Sequence, residues 1–318
     1  MKIVIMGSGG VGGYFGARLA DAGEDVSFVA RGSHLEAIKS KGLQVKSELG
    51  NISVHPASAS NKPGDLGTAD IILFCVKAYD TESAALAIKP IVGPETGVIP
   101  FLNGIEHLKK LQRTLGEKTV LGGVANISAL ITSPGVIEHF GTIQTLRIGE
   151  LDNRKSDRLT EFRAACEKAK IDAPTPENIE TELWQKFVMI CTLAGVNCLT
   201  RLPLGDCRNN TNSRKLMLSL ANEVIAVARA HDINLPKEQI ELTIKLLDNL
   251  PANMKASMLA ALERGDKLEA SALNGAVDRL GQTKGIDTPA NRIVYEALAP
   301  HELSLIHISE PTRRTPIS

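Results

Sequence analysis

Aromatic side chains are scarce in this chain: Phe, Trp and Tyr together make up 3% of its 318 residues. Surfaces that stack nucleic-acid bases are built on such rings, so no nucleic-acid partner is expected. An excess of charge of either sign is also missing, because 36 Lys plus Arg face 36 Asp plus Glu. That balance argues against a general polyanion binder and leaves room only for a local basic pocket. No apolar run reads as long enough to span a bilayer, and the opening MKIVIMG enters a strand with no leader pattern before it. The expectation is a cytoplasmic protein without a membrane partner. The five cysteines (Cys75, Cys166, Cys191, Cys198 and Cys207) are odd in number and form no CxxC pair. They read as buried free thiols in a reducing compartment. The seven histidines show no HExxH or Cys/His ligand spacing, so no metal is expected. Neither a GxSxG elbow nor a P-loop lysine pattern occurs.

What is present is a hydrophobic share of 43%, enough for a sizeable core, and a pattern that changes character part-way along. Short apolar runs alternate with helical stretches through the first half. Strands are predicted over 2–6, 25–30, 69–76, 97–102 and 119–127, and helices over 11–22, 33–41, 81–88 and 105–115, with Ser33 as an N-cap. Residues 43–54 suggest a hairpin. Residues 135–139 and 145–148 read as antiparallel edge strands closing the same sheet. Alternation of this kind gives a doubly wound α/β sheet. Pro174 and Pro176 punctuate a linker, after which helical patterns dominate: 179–192, 212–230, 237–249, 257–263, 272–284 and 290–298. The expected organisation is a Rossmann-like domain over 1–174, an all-α substrate domain over 175–301, and a tail over 302–318 that reads as appended, non-native sequence.

The strongest chemical motif is the loop Gly7, Ser8, Gly9, Gly10, Val11, Gly12, which follows a strand and opens a helix. In that context the first glycine makes the tight turn, the second lets backbone approach a pyrophosphate, and the third lets helix and strand pack closely. The helix N-terminus then faces the phosphates. The end of the second strand selects the dinucleotide. NAD sites place an acidic residue there to bond the ribose 2′-hydroxyl. This chain has Ala30-Arg31-Gly32-Ser33, and a guanidinium suits a 2′-phosphate that a carboxylate would repel. The expected cofactor is therefore NADPH/NADP+. Lys77 and Asn103 each sit just past a core strand and point to cofactor or substrate contact. Lys186 lies in the apolar run Trp184-Gln185-Lys186-Phe187-Val188. A partly buried Lys has a lowered pKa and can deliver a proton near neutrality, as the alkoxide formed on ketone reduction requires. Glu269 is placed to pair with Lys186 or to bond a ribose hydroxyl, the plainer alternative being a charge at a helix start.

The ordered set GSGGVG, Val29-Ala30-Arg31-Gly32, CVKAYDT, FLNGIEH, SPGVIEHFG, LWQKF, ASML and LEASALNGAVDRLG resembles the ketopantoate reductase family, the 2-dehydropantoate 2-reductases. The resemblance implies NADPH-dependent reduction of a branched 2-oxo acid, a step toward pantothenate and coenzyme A. It implies that Gly7, Gly9 and Gly12 hold the pyrophosphate, Arg31 the 2′-phosphate, and Lys77 the cofactor, with Asn103 touching cofactor and substrate. Lys186 would be the general acid, Ser257 would bind the substrate carboxylate, and Glu269 would bond the ribose while orienting Lys186. A homodimer through the helical domain is in keeping with the resemblance.

Three positions depart from the family's pattern. The asparagines expected four and eight residues after the lysine are Ile190 and Ala194, with Asn197 a replacement in a different register, and the aspartate expected two residues after Glu269 is Ser271. The substrate half therefore matches less well than the cofactor half, and the loss of polar recognition can shift specificity strongly. The rival readings are a related NADP-dependent ketone or 3-hydroxyacid reductase, and an NADPH-binding sensor without catalysis.

Overall fold

The computed structural model describes residues 1–302; the expected tail, 302–318, lies outside them except for its first residue. Two compact units divide the chain between Leu183 and Trp184. The division falls inside a helix, not in the Pro174–Pro176 stretch.

The first unit opens with β1 (Lys2–Met6), α1 (Gly10–Asp21), β2 (Asp25–Val29), α2 (Gly32–Lys41), β3 (Leu43–Ser47), β4 (Ile52–Val54) and β5 (Ser58–Ser60). It continues with β6 (Ala69–Phe74), α3 (Thr81–Ile88), β7 (Val92–Pro100), α4 (His107–Leu115), β8 (Leu121–Ser133), β9 (Val136–Glu150) and α5 (Asp157–Lys168). Five strands form a wholly parallel sheet in the order β5-β2-β1-β6-β7. Its two faces are legible in the period of two along each strand. Ile3 and Ile5 of β1 and Ile71 and Leu73 of β6 pack into a core with Phe15 and Phe28. Val4 and Met6, with Ile72 and Phe74, pack into another with Ala84, Ile88 and Leu111. A sheet covered on both faces explains why these strands read as continuous apolar runs.

Residues 135–139 and 145–148 do not close this sheet. Apart from Gly135, in the turn before it, both belong to the single strand β9, which pairs antiparallel with β8 in a second, four-stranded sheet of order β4-β3-β9-β8. The expected gap between them carries Gly141 at φ +75°, where the register with β8 shifts, and the strand resumes beyond it. The hairpin of β3 and β4 is present, and β3 also pairs parallel with β9. Arg31, not Ser33, occupies the N-cap of α2.

The helix α5 lacks a predicted counterpart, although Leu159, Phe162, Ala165 and Cys166 form its buried stripe. Its first turn carries Arg158, whose guanidinium grips Glu150 at the end of β9. Nε lies 2.8 Å from Oε1 and Nη2 2.7 Å from Oε2. Ser156 Oγ donates to the same carboxylate, and Arg158 also donates to the carbonyls of Thr96 and Lys118. One guanidinium thus ties α5 to β9, β7 and the approach to β8. Burial raises the Glu150 carboxyl, but the bonds from Arg158 and Ser156 outweigh it and hold the group below the usual carboxylate range.

The second unit takes up α6 (Ile179–Thr200) from Trp184 and adds α7 (Leu204–Asn209), α8 (Thr211–Ala230), α9 (Gln239–Asn249), α10 (Ser257–Arg264), α11 (Asn274–Lys284) and α12 (Pro289–Leu298). Helix α6 runs past its expected end at residue 192 to Thr200, and Gly195 within it is a packing site. A Cβ there would stand 3.0 Å from Leu220 Cδ1. Gly205, inside α7, is a packing site of the same kind, with a Cβ on it 2.7 Å from Ala252 Cβ. Helix α6 also corrects an expectation: at 22 residues and mean hydropathy 1.2 it is long and apolar enough to cross a membrane. The share of that window buried inside the protein is 67%, which is how a core helix satisfies the same test. All five cysteines are free thiols.

Candidate functional site

In the first unit, the candidate nucleotide residues leave one edge of the parallel sheet. Met6 is in register with Val29 and Phe74, and Phe74 with Pro100, so β1, β2, β6 and β7 end side by side. Gly7, Arg31, Lys77 and Asn103 lie within three residues of those four ends. Backbone bonds carry the edge onward, from Cys75 N–H to Met6 O and from Phe101 N–H to Phe74 O. The C-terminal edge of an open parallel sheet is where nucleotide sites form.

The glycine loop is shaped by close approach. Gly7 has φ +99°, and a Cβ on it would meet the Cys75 carbonyl at 2.9 Å. A Cβ on Gly12 would lie 2.2 Å from Gly7 O, which would force the helix off the strand. Gly10 is pressed against β8, with Ala129 O 2.0 Å from where its Cβ would stand. Gly9 alone of these faces open space. The loop therefore leaves its opening at Gly9, the position through which a pyrophosphate approaches backbone, and α1 begins directly behind it. That arrangement fits a dinucleotide. Val11 opens α1 half-buried, and Ser8 is buried with its N–H and Oγ both donating to Val29 O. Arg31 and Lys77 are exposed, and Asn103 is half-buried.

One contact of this loop was not anticipated. His34, on the first turn of α2, accepts from Gly135 N–H at Nδ1 (3.0 Å) and reaches Ser8 O through Nε2 (2.9 Å). Because Nδ1 accepts, Nε2 carries the proton and donates. Burial lowers the His34 pKa, against the opposing bond to Ser8, so the ring is held neutral.

In the second unit, Lys186 is half-buried on α6, flanked by the buried Trp184, Phe187 and Val188. Trp184 meets Phe187 edge-to-face and stacks on His231, which makes a rigid apolar wall. Desolvation lowers the ammonium to about 8, and the charge of Glu269, itself 9% exposed, pulls it the other way. These two predicted residues are brought within electrostatic reach of one another. Ser257 is exposed as the first residue of α10. Ser271 is occupied structurally: its N–H donates to Glu302, and its carbonyl and Oγ accept from Arg279.

Asn197 does not stand in for a substrate-facing asparagine. It is fully buried, its Nδ2 donates to Leu202 O at 2.9 Å, and its Oδ1 accepts from Ala256 N–H at 2.9 Å. Both ends of the amide are used by backbone. Ala194 is 1% exposed and Ile190 half-buried.

Comparison with known proteins places these features. A family model described as "Ketopantoate reductase PanE/ApbA" matches residues 3–153, and its companion, "Ketopantoate reductase PanE/ApbA C terminal", matches 178–302. The chain belongs to the ketopantoate reductase family. A 2-dehydropantoate 2-reductase of Archaeoglobus fulgidus is 31% identical, over 96% of this chain and 99% of the relative. An uncharacterized oxidoreductase, YkpB of Bacillus subtilis, is 30% identical over 95% of this chain and 99% of its own. Among solved structures, a PanE/ApbA family ketopantoate reductase from Ralstonia eutropha superposes with a TM-score of 0.87 at 32% identity, covering 95% of this chain and 98% of that one. A D-mandelate dehydrogenase bound to NADH and anilino(oxo)acetate shares the fold, with a TM-score of 0.87 at 22% identity over 96% of this chain and all of that one. The protein is thus an oxidoreductase of the ketopantoate reductase family, with a Rossmann-like first unit and a helical second one.

Proposed function

We propose that the protein reduces a branched 2-oxo acid with NADPH, ketopantoate being the first candidate, with Lys186 as the general acid. The observation that carries this reading is the setting of Lys186: an ammonium lowered to about 8 by burial, on a helix walled by Trp184 and Phe187, with Glu269 as its counter-charge. A group poised there is protonated at neutral pH and gives its proton up readily. When bound, NADPH supplies the hydride to the keto carbon. The chain's part is to hold the dinucleotide through Gly7, Gly9 and Gly12 and the side chains of Arg31 and Lys77; substrate contact is the role that the family resemblance gives to Asn103 in the first unit and Ser257 in the second. As the keto oxygen gains negative charge, Lys186 Nζ transfers its proton to it, becomes a neutral amine, and is reprotonated from solvent. The buried Glu269 carboxylate favours the charged form of Lys186 between turnovers. Free thiols throughout are in keeping with a reducing, cytoplasmic compartment.

Ile190 supports a second reading for the substrate's side chain. An apolar, half-buried residue stands where the family's pattern has an asparagine, which favours recognition by contact over hydrogen bonding. The test is NADPH oxidation at 340 nm across ketopantoate, other branched 2-oxo acids and aryl 2-oxo acids, with 3-hydroxy acids assayed in reverse. Turnover confined to 3-hydroxy acids, or absent throughout, overturns the 2-oxo acid reading.

The choice of dinucleotide rests on Arg31, exposed at the N-cap of α2. Charge-assisted bonds of this kind contribute about 1.5–3 kcal/mol, or roughly 10- to 100-fold in affinity. Arg31→Glu is therefore expected to raise KM for NADPH by about that factor while KM for NADH falls or stays level. Equal use of NADH by the unaltered protein overturns the assignment.

A further inference from the structure

We infer that His34 is a positioning residue that locks the glycine loop and the Arg31 turn into one arrangement for NADP(H). The inference rests on the cofactor reading above. Three bonds fix the peptide between Gly7 and Gly9: Ser8 N–H and Ser8 Oγ both donate to Val29 O, and His34 Nε2–H donates to Ser8 O. The first two tie the loop to the end of β2, two residues before Arg31. The third ties it to the helix that Arg31 caps, since His34 lies one turn into α2 and Leu35 N–H closes that turn on Arg31 O.

His34 is itself anchored. Its Nδ1 accepts from the N–H of Gly135, in the turn between β8 and β9, and the carbonyl of Gly135 accepts from Gln44 N–H of β3. A Cβ on Gly135 would lie 3.0 Å from Ala37 Cβ on the same helix α2, so the turn is packed as well as bonded. The second sheet, through one imidazole, thus fixes the orientation of the Ser8 carbonyl. That orientation sets the adjoining peptide of Gly9, whose open side is the loop's single opening. A phosphate-binding loop gains affinity from being held in its bound shape beforehand. His34 supplies that hold and links the reader of the 2′-phosphate to the cradle of the pyrophosphate.

The experiment is calorimetric titration of NADP+ and NAD+ into the full-length protein and into His34→Ala, His34→Phe and His34→Gln, with melting temperatures measured alongside. Losing two hydrogen bonds predicts an NADP+ dissociation constant raised up to about thirtyfold in H34A and H34F. The loss for NAD+ is expected to be smaller, because NAD+ does not engage Arg31. H34Q, whose amide both donates and accepts, is expected to recover most of the affinity. Lowered melting temperatures in H34A and H34F with unchanged NADP+ affinity would assign His34 to the fold alone and overturn the inference. Affinity equal to the unaltered protein in all three variants overturns it too. If the unaltered protein binds neither dinucleotide, the cofactor reading falls and takes this inference with it, an outcome distinct from the other two.

Discussion

Lys186→Ala is expected to cut the turnover of ketone reduction by about 10²- to 10⁴-fold, the usual contribution of a positioned proton donor, while NADPH binding stays largely intact. Its pH dependence separates a proton donor from a mere substrate anchor. With the ammonium at about 8, reduction needs the protonated form and falls as pH rises through that value. Oxidation of the corresponding hydroxy acid needs the neutral amine as base and rises over the same interval. Lys186→Arg keeps the positive charge but releases its proton far less readily, so it is expected to remain slow and to lose the limb near 8. Stability moves the other way. A lysine whose folded pKa lies below its unfolded value costs folding free energy wherever it is charged, which is fully the case below about 8 and declines above it. Removing it relieves that cost but leaves the buried Glu269 without its counter-charge, so at pH 7 the two effects of K186A on the melting temperature oppose each other. Turnover within a few-fold of the unaltered protein, or a limb near 8 that persists in K186A, sinks the assignment.

How far such a site can be read from sequence depends on what fixes each residue. The strands β1, β2 and β6 are legible because both faces are buried, so each reads as an apolar run ending where its functional residue begins. Gly7, Arg31 and Lys77 are located by that rule, and Asn103 follows β7, of which only the second half is a buried run. The strand β5 is a Ser-Ala-Ser segment held by backbone pairing to β2 and by the Ser27–Ser58 hydroxyl contact, and nothing in its composition announces a strand. The middle of β9 is similarly silent, since Phe140 and Ile143 are exposed and the residues between them are Gly141 and Thr142. His34 was hidden for another reason: its partners lie 26 and 101 residues away in the chain. Spacing along α6 does not say which neighbours a buried amide meets, and for Asn197 they are backbone groups of the segments preceding α7 and α10. Local pattern recovers residues that strands deliver to an edge; bonds between distant segments need the fold.

The Glu150–Arg158 pair lies among those distant bonds and carries the largest expected effect on stability. Arg158→Ala removes both prongs from a carboxylate on a residue only 3% exposed, leaving the Ser156 hydroxyl and the more distant Arg154, 3.7 Å away. Breaking a buried pair from one side typically costs about 3–5 kcal/mol when the surviving charge is left uncompensated, and the remaining Ser156 and Arg154 place R158A at the lower end of that range. The carbonyls of Thr96 and Lys118 lose a donor in the same step. Urea unfolding of the R158A protein at pH 7 is expected to show a loss of that size. The sign of its pH dependence follows from the Glu150 carboxyl, which lies below its unfolded value of about 4.3 in the folded protein. The stability it confers is present above that unfolded value and is lost as pH falls through the lowered folded one. In R158A the same carboxyl, buried without its partner, shifts upward and accepts a proton more readily. The deficit is therefore expected to be widest near neutrality and to narrow on acidification. Replacing both partners, as Glu150→Leu with Arg158→Met, removes the orphaned charge and is expected to recover most of what R158A loses. A loss below about 1 kcal/mol in R158A, or one that widens toward acid, contradicts this account of how α5 is held to β9.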